Sequence, residues 1–590
     1  MGLNPVAGTK KNTAMNANPA KNTLPMYIKE AGNFPWLLLF AIIAYCGYFI
    51  NMGELGFYED DYALIGPHLL KNWSEIFDYV KSCFAGFPQG RPLHFVVPTL
   101  LTAASKSLTG GIIGLYIFGI FICAMNSWLL FVILRQTVSL PAALLGGLVL
   151  MLTPADAPKM FLHVIPVLFM PVTIGLAAIF LYARGKESAC ILLSLIVLLW
   201  YESVVLIILF APFFTADYGK DFLKKLFRHI GACCAIMLVV GGLRLFIFAE
   251  GRISTVVESG IIPLIKLVIR CVILGPLYSF ISMIQGTGKG VRHIIQEAGA
   301  MDLVILPLFA CLLAYLGYTL FQAKALNDHS NDPIPFWRRP VFWGMVMIPA
   351  MYLMAFSRGV LAVNARSGRM ASVHTMSAIA WAVFAAGMLD LCIVRCGQKI
   401  WPRSRLAWGL GLTSLVLVSW MAYAGTVRNE YARNWDIQRT FFKNLEEVYP
   451  NNLHDVNAVL FSPISMECLL KPRSMARGPG WALPIACGLY FGSTSASYSL
   501  GSEYVRWKEE NGNLYFFNDG IGDWGNWRQV QPENTAYISC ENGKPVRIAQ
   551  ITVKLENSEE ETILFFNTKT STYKPLKNIF VNMINSGRTR

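Results

Sequence analysis

The sequence predicts a polytopic α-helical membrane protein with about 11 transmembrane helices and a C-terminal β-rich (α+β) domain. Three observations lead to this fold class. The 590 residues are 54% hydrophobic and only 15% charged, with mean hydropathy +0.46, whereas about a quarter of a soluble protein is charged. Apolar runs long enough to cross a bilayer recur along most of the chain. After about residue 425 the sequence becomes polar, with alternating runs typical of strands.

The positive charge of the chain is interpreted as a topology signal. The formal net charge is +14, but Lys and Arg cluster in short segments between apolar runs, which argues against nucleic-acid binding. The 13 cysteines show no CxxC or Cys/His metal spacing, so they are interpreted as small core residues.

The chain divides into three parts. Residues 1–33 are polar and contain lysines, so we place them in the cytoplasm, before a retained first crossing. Residues 34–425 form the membrane domain, in which most basic segments fit the positive-inside rule with about 11 crossings. This count places residues 426–590 on the outer face as a separate domain.

Three segments depart from ordinary crossings. Residues 92–108 contain a proline and a lysine, and we interpret them as an interfacial helix. The run Cys190–Phe214 is too short for two ordinary spans, so we predict a shallow hairpin turning near Glu202; one long tilted helix is the alternative. The run Ile261–Met283 is interrupted by Pro276 and two basic residues, which favours an interfacial or re-entrant element.

The polar C-terminal part shows strand and turn signals. Asn-Gly pairs occur at 511–512 and 542–543, as in tight hairpins. The predicted strands are Val456–Leu460, Thr535–Ser539, Pro545–Leu555 and Thr562–Asn567.

Three adjacent acids follow the first crossing. Glu59, Asp60 and Asp61 repel one another at a membrane surface, which raises the pKa of at least one of them. Such a group suits general-base chemistry, for example removal of a proton from a sugar hydroxyl. The alternative is a solvated acidic loop that merely ends a helix.

Two further motifs lie in predicted outer loops. In Gly90-Arg91-Pro92, Arg91 can present a bidentate fork to a phosphate group. The turn 153–159 is bracketed by prolines, which hold Asp156 and Lys159 in place, and both are candidates to face the same cavity as Asp60. For Asp156, a helix cap is the alternative.

The remaining candidates are ionisable residues in unfavourable positions. Glu202 lies within an apolar run, where a charge is costly and marks a functional site by default. Arg358, Arg366 and Arg369 lie in a predicted outer turn, against the charge rule, so either the topology is wrong there or the turn binds an anionic group.

Taken together, these features resemble the GT-C superfamily of integral membrane glycosyltransferases. The features are the acidic motif, Gly90-Arg91-Pro92, the paired short spans near Glu202 and the outer C-terminal domain. The Asp-Asp-Tyr and Gly-Arg-Pro motifs are especially similar to those of bacterial glucosyltransferases that decorate O-antigen. The resemblance covers roughly residues 30–425.

The resemblance implies inverting transfer of a hexose from a polyprenyl-phosphate donor to a periplasmic glycan or glycolipid, in the bacterial inner membrane. Asp60 matches the family's base, with Asp61 as its neighbour, and Asp156 matches the second acidic position. Arg91 and one later arginine are expected to hold the donor phosphate. No metal and no cofactor are expected, because fixed cations serve in their place. The C-terminal domain is hypothesised to bind the acceptor.

Two other functions remain open at this point. A transporter or flippase of a lipid-linked substrate is less favoured, because the sequence shows no internal symmetry and its acids lie near a span end. A glycan ligase or polymerase with a pyrophosphate-linked donor would use the arginine-rich turn.

Overall fold

The computed structural model describes residues 34–58, 60–155, 157–215, 221–246, 261–322, 339–355, 369–397, 402–448, 458–461, 497–500, 506–518, 526–541, 544–556 and 561–566. Their α-helices are α1 (Phe34–Ala44), α2 (Asp61–Leu64), α3 (Gly66–Leu70), α4 (Trp73–Gly86), α5 (Pro92–Thr109), α6 (Ile113–Leu134), α7 (Leu140–Leu152), α8 (Met170–Ala183), α9 (Glu187–Leu198), α10 (Val205–Ile208), α11 (Phe222–Phe246), α12 (Ile261–Gln296), α13 (Ala300–Gln322), α14 (Pro340–Ala350), α15 (Thr375–Gly397) and α16 (Arg403–Val448).

The helical content confirms a polytopic membrane architecture. Among the described residues, 8 helical segments are long and apolar enough to cross a membrane, and 3 apolar helices are shorter. Seven of the eight coincide with predicted crossings, and the three shorter ones, α7, α9 and α14, coincide with three more. The remaining predicted crossing, the second arm of the hairpin that turns near Glu202 and ends at Phe214, consists of short helical turns. The eighth long segment is α12.

Helices α1, α6, α7 and α15 form the centre of the bundle. Trp36 packs on Phe131 at a ring distance of 5.7 Å, and Phe49 packs on Tyr116 at 6.2 Å, so α1 and α6 are antiparallel. The start of α7 meets the end of α15, where the Ser139 amide donates to Asp390 at 2.9 Å. The end of the bundle that contains Phe49, Tyr116 and the start of α15 is called the Asp60 end below.

The segment after α9 breaks where the sequence predicts a turn. Helix α9 ends at Leu198, Tyr201 is extended, and a 3-10 turn starts at Glu202. The alternative of one long tilted helix is therefore wrong. Residues 92–108 form the helix α5, which is not among the candidate spans; Pro92 starts it and Gly110, at φ 75°, ends it.

Helix α12 differs from the expected interrupted element. It runs unbroken for 36 residues through Pro276. Gly275 packs on the ring of Tyr352, and His293 contacts Asp302 at 3.0 Å. Tyr352 follows the end of α14 and Asp302 begins α13, so both contacts lie at the Asp60 end. The helix thus lies across this end of the bundle, and the two basic residues near its start, Lys266 and Arg270, are exposed.

Helix α16 passes the predicted domain boundary without a break. It spans 46 residues, from Arg403 to Val448. Its last five turns carry buried aromatic residues, such as Tyr431 and Trp435, that belong to the main hydrophobic core. The composition changes near residue 425 because this part of the helix packs against loops as well as helices, so polar residues enter its sequence.

The C-terminal strands confirm the predicted β-rich region. They are β1 (Ala458–Phe461), β2 (Ser497–Leu500), β3 (Trp507–Glu510), β4 (Asn513–Asn518), β5 (Asn526–Val530), β6 (Thr535–Glu541), β7 (Lys544–Ile548), β8 (Gln550–Lys554) and β9 (Glu561–Phe565).

The strands form three small sheets, ordered β2-β1-β6-β7, β3-β4-β5 and β8-β9. In the first, β1 is parallel to both β2 and β6, and β6 is antiparallel to β7. The predicted turn at Asn511-Gly512 joins β3 to β4, with both residues at positive φ; the other predicted turn, at 542–543, lies outside the described residues. Strand β7 packs against α16, so this sheet is attached to the helical bundle.

Candidate functional site

The acidic motif lies in a loop that the end of α16 holds in place. Tyr58 is fully buried, and its hydroxyl donates to the carbonyl of Tyr431 at 2.8 Å. Helix α2 begins at Asp61, and the hydroxyl of Tyr62 in this helix donates to Oε1 of Gln438 at 2.7 Å. Two tyrosines therefore attach the loop to one face of α16, and Asp60 lies between them as the residue before α2.

Asp61 is an internal support of this loop. Its side chain has no exposed surface. One carboxylate oxygen accepts from the amides of Tyr58 and Leu162, at 3.1 and 3.3 Å, and the other accepts from the amide and Nδ1 of His163, at 2.8 and 2.6 Å. Four donors satisfy both oxygens. Asp61, predicted to be catalytic together with Asp60, instead joins the 58–61 loop to the turn after α7.

Asp60 is the more exposed carboxylate of the pair. Its side chain is 15% exposed, against 0% for Asp61. Nε2 of His163 lies 3.7 Å from Oδ2 of Asp60, which is beyond hydrogen-bond length. One imidazole thus lies between two carboxylates, bound to the buried one and facing the other. Of the two carboxylates, only that of Asp60 has side-chain surface open to solvent.

Sequence reasoning did not select His163. The partners are 102 residues apart along the chain, and no local spacing connects them. The available signal was the position of both residues at the same predicted end of the bundle: Asp61 follows the first crossing, and His163 follows the loop after α7.

A second cluster joins two arginines to Glu202. Arg91 Nη2 lies 2.5 Å from Oε1 of Glu202, and Arg244 Nη1 lies 3.3 Å from Oε2. Arg244 also donates through Nε to the carbonyl of Gly90 at 3.1 Å. Gly90 has φ 63°, and a Cβ there would lie 2.3 Å from the Arg244 side chain. The lack of a side chain at Gly90 therefore leaves room for the side chain of an arginine.

The charges of this cluster do not cancel. Two guanidinium groups meet one carboxylate, and all three side chains are less than 20% exposed. Burial raises the pKa of Glu202, but Arg91 and Arg244 lower it further, and the net pKa lies below that of an ordinary Glu. With Glu202 ionised, these three side chains by themselves sum to one positive charge, and Arg91 and Arg244 make other interactions as well.

A small cavity of about 30 Å³ adjoins the cluster. It is lined by Arg91 and Glu202 on one side and by residues at the ends of α14 and α15 on the other, including Ala355 and Ser372. Leu168, five residues after His163, also lines it. The two clusters are therefore neighbours at the Asp60 end, connected by the π-helical turn Ile165–Phe169, against which α5 packs.

The described hydrogen bonds of Lys159 are to neither cluster. Its ammonium donates to the carbonyls of Leu150 and Met151, at 3.2 and 2.8 Å, so it caps the C-terminus of α7. This geometry does not favour the predicted orientation of Lys159 towards a cavity shared with Asp60, because the turn folds back on the helix that it follows. Lys159 is only 3% exposed to solvent.

The other predicted site residues fall outside the description. Arg369 begins a 3-10 turn that packs against the turn Ala157–Met160, but only its backbone is described. The predicted residues that lie outside the described residues are Glu59, Asp156, Arg358 and Arg366.

A large apolar groove opens between α7, α12, α15 and α16, with a volume of about 490 Å³. Its size is in the range of ligand-binding sites. The side chains that line it include Leu145, Met283, Trp381, Leu412 and Trp420. The indoles of Trp381 and Trp420 donate to Ser279 and Thr287 of α12, both at 2.9 Å or less, so α12 closes the groove at the Asp60 end.

A third charged cluster was not predicted. Asp302 accepts from Arg428 at 2.8 Å and contacts His293 at 3.0 Å, and all three side chains are buried. Arg428 also donates to the carbonyl of Cys46 at 3.0 Å. The cluster joins α1, α12, α13 and α16, which suits a structural role in which each buried charge is paired.

In the part of the chain that the structure describes, no three or more His, Cys, Asp or Glu side chains are arranged to hold a metal ion. No family model, no curated protein and no solved structure matches this chain.

Proposed function

We propose that this chain is an inverting glycosyltransferase that moves a hexose from a polyprenyl-phosphate donor to a cell-envelope glycan or glycolipid on the periplasmic side of the bacterial inner membrane. The observation that carries the proposal is the pairing, at one end of the bundle, of the partly exposed carboxylate of Asp60 with the net positive Arg91–Glu202–Arg244 cluster. A base and a cation are the two groups that this displacement needs.

In the proposed reaction, Asp60 takes the proton of the acceptor hydroxyl while the oxygen attacks the anomeric carbon of the donor. The bond from that carbon to the phosphate oxygen breaks, and its electron pair leaves with the polyprenyl phosphate. Attack from the face opposite the leaving group inverts the anomeric carbon. A base that is fixed in place contributes about 10²- to 10⁴-fold to such a step.

The arginine cluster supports the part of the proposal that concerns the leaving group. Negative charge grows on the phosphate as the bond breaks, and a fixed guanidinium stabilises it without reorganisation. Glu202 holds both Arg91 and Arg244, and the carbonyl of Gly90 also holds Arg244, so their positions are set before substrate binds. The net charge of this cluster favours an anion over a neutral ligand.

The apolar groove supports the lipid nature of the donor. It is bounded by membrane-length helices and closed by α12 at the Asp60 end. A polyprenyl chain in this groove would bring its phosphate to the end of the bundle where both polar clusters lie. A water-soluble sugar nucleotide has no lipid chain that would occupy such a groove.

The test is transfer by the purified protein from polyprenyl-phosphate hexoses with radiolabelled sugars to extracted cell-envelope glycolipid. We expect transfer by the wild type, a loss of at least 100-fold with Asp60→Asn, and unchanged donor binding in that variant. Asp78→Asn is the matched control, because Asp78 is 71% exposed on α4. A wild type that binds the lipid-linked donor but never cleaves it contradicts the proposal and favours a transporter.

A further inference from the structure

His163 makes a contact whose geometry goes beyond support of the loop. A carboxylate only accepts hydrogen bonds, so the 2.6 Å contact between Nδ1 and Asp61 requires the hydrogen to be on Nδ1. In the neutral ring, the lone pair is then on Nε2. That nitrogen points to Oδ2 of Asp60, 3.7 Å away. The tautomer and the orientation of the ring are therefore both fixed by the buried acid.

We propose that His163 receives, through Nε2, the proton that Asp60 removes from the acceptor. The inference rests on the proposed function. The acceptor O–H bond breaks as its oxygen bonds to the anomeric carbon, and the proton is first on Asp60 and then on Nε2. The bond to phosphate breaks with its electron pair on the leaving group. The imidazolium returns the proton to water after the product leaves, so no other reactant is needed.

The surroundings of the ring favour this role. Among the described residues, the charged groups against His163 are Asp60 and Asp61, and both stabilise an imidazolium. Phe161 packs on the ring at 5.6 Å, and the side chain of His163 is 5% exposed, so bulk water competes little for the proton. The nearest cation in sequence, Lys159, is directed to the end of α7.

The contact between Nε2 and Asp60 needs to shorten by about 1 Å for direct transfer. Catalytic hydrogen bonds are often long before substrate binds and tighten in the complex. Asp61 cannot substitute for Asp60 in this exchange, because its oxygens are already occupied by four donors. His163 acts through Asp60 and is a positioning residue in the sense that it does not touch the substrate.

Two substitutions of His163 test the roles of its two ring nitrogens separately. The amide of Asn in His163→Asn replaces Nδ1 and keeps a donor for Asp61, but provides nothing at Nε2. The amide in His163→Gln reaches the Nε2 position, but it is no base and leaves Asp61 without its side-chain donor. We expect both variants to lose turnover by at least tenfold, with donor binding kept in His163→Asn.

The decisive measurement is the pH dependence of kcat for the sugar transfer defined above. We expect the wild type to lose activity on the acid side, because a His163 that is already protonated cannot receive the proton, and we expect this limb to move to lower pH in His163→Asn. A purely structural histidine would leave this limb unmoved. Wild-type turnover in His163→Asn, or an acid limb at the same pH in both proteins, overturns the role of His163. Absence of transfer by the wild type instead contradicts the proposed function.

Discussion

Replacing Glu202 with Gln tests whether one carboxylate holds the two buried arginines at the Asp60 end. The substitution keeps the size of the side chain and removes its charge. Arg91 and Arg244, whose side chains are 9% and 5% exposed, then lose the carboxylate that they share. Arg244 keeps its hydrogen bonds to the carbonyls of Gly90 and Leu198.

The size of the expected loss of stability follows from the burial of the arginine side chains. Removing one partner of a buried ion pair lowers the free energy of unfolding by about 3–5 kcal/mol, because an uncompensated charge stays in the interior. Here two guanidinium groups lose the same partner, so we expect a value in the upper part of this range. An exposed pair contributes about 0–1 kcal/mol. Glu187 and Arg228 form such a pair, at 40% and 64% exposure, so Glu187→Gln is the matched control.

The assay is unfolding of the purified protein in detergent, with both variants and the wild type followed at pH 7. Because Arg91 and Arg244 lower the pKa of Glu202, the cluster contributes its full stability above the ordinary carboxyl pKa, about 4.3. This contribution is lost as pH falls through the lowered value, so the difference between wild type and Glu202→Gln shrinks only below about pH 4. Equal, small effects of Glu202→Gln and Glu187→Gln would refute the reasoning.

Two further substitutions test the supports of the site. A Cβ on Gly290 would lie 1.8 Å from the carbonyl oxygen of Ser419, so Gly290→Ala should push α12 from α16 and destabilise by about 1–3 kcal/mol; Gly288→Ala, which meets nothing within 4 Å, is the control in the same melting experiment. Asp61→Asn leaves backbone amides without an acceptor and should cost about 3 kcal/mol; a melting temperature equal to that of the wild type would contradict the role given to Asp61.

The sequence predicts the positions of the helices well, because burial in a membrane imposes long apolar runs that are visible locally. It fails where a segment is decided by its neighbours. Helix α12 continues through Pro276, since one proline removes a single hydrogen bond while many contacts with α16 favour a straight helix. Helix α16 continues past residue 425 because the loop that contains Tyr58 packs against it.

The residues of the candidate site could likewise be predicted in part, but their contacts could not. Arg91 and Glu202 were selected separately, as charges in unfavourable places, and the structure brings them together across 111 positions of sequence. Nothing in the local pattern connects Asp61 with His163 or Asp302 with Arg428. The energetic cost of burying a charge identifies the members of a buried cluster from sequence, but only the fold determines which residues they pair with.

Helix α16 also has a mechanical consequence. With 46 residues, it is about 69 Å long, and it joins parts of the molecule that are far apart. It lines the apolar groove with Trp420, holds the Asp60 loop with Tyr431 and Gln438, and packs against strand β7. A stiff rod that is fixed at these places transmits a tilt. Displacement of the C-terminal sheet therefore strains the acidic loop and the groove together, so the strands and the membrane helices respond to a load as one lever.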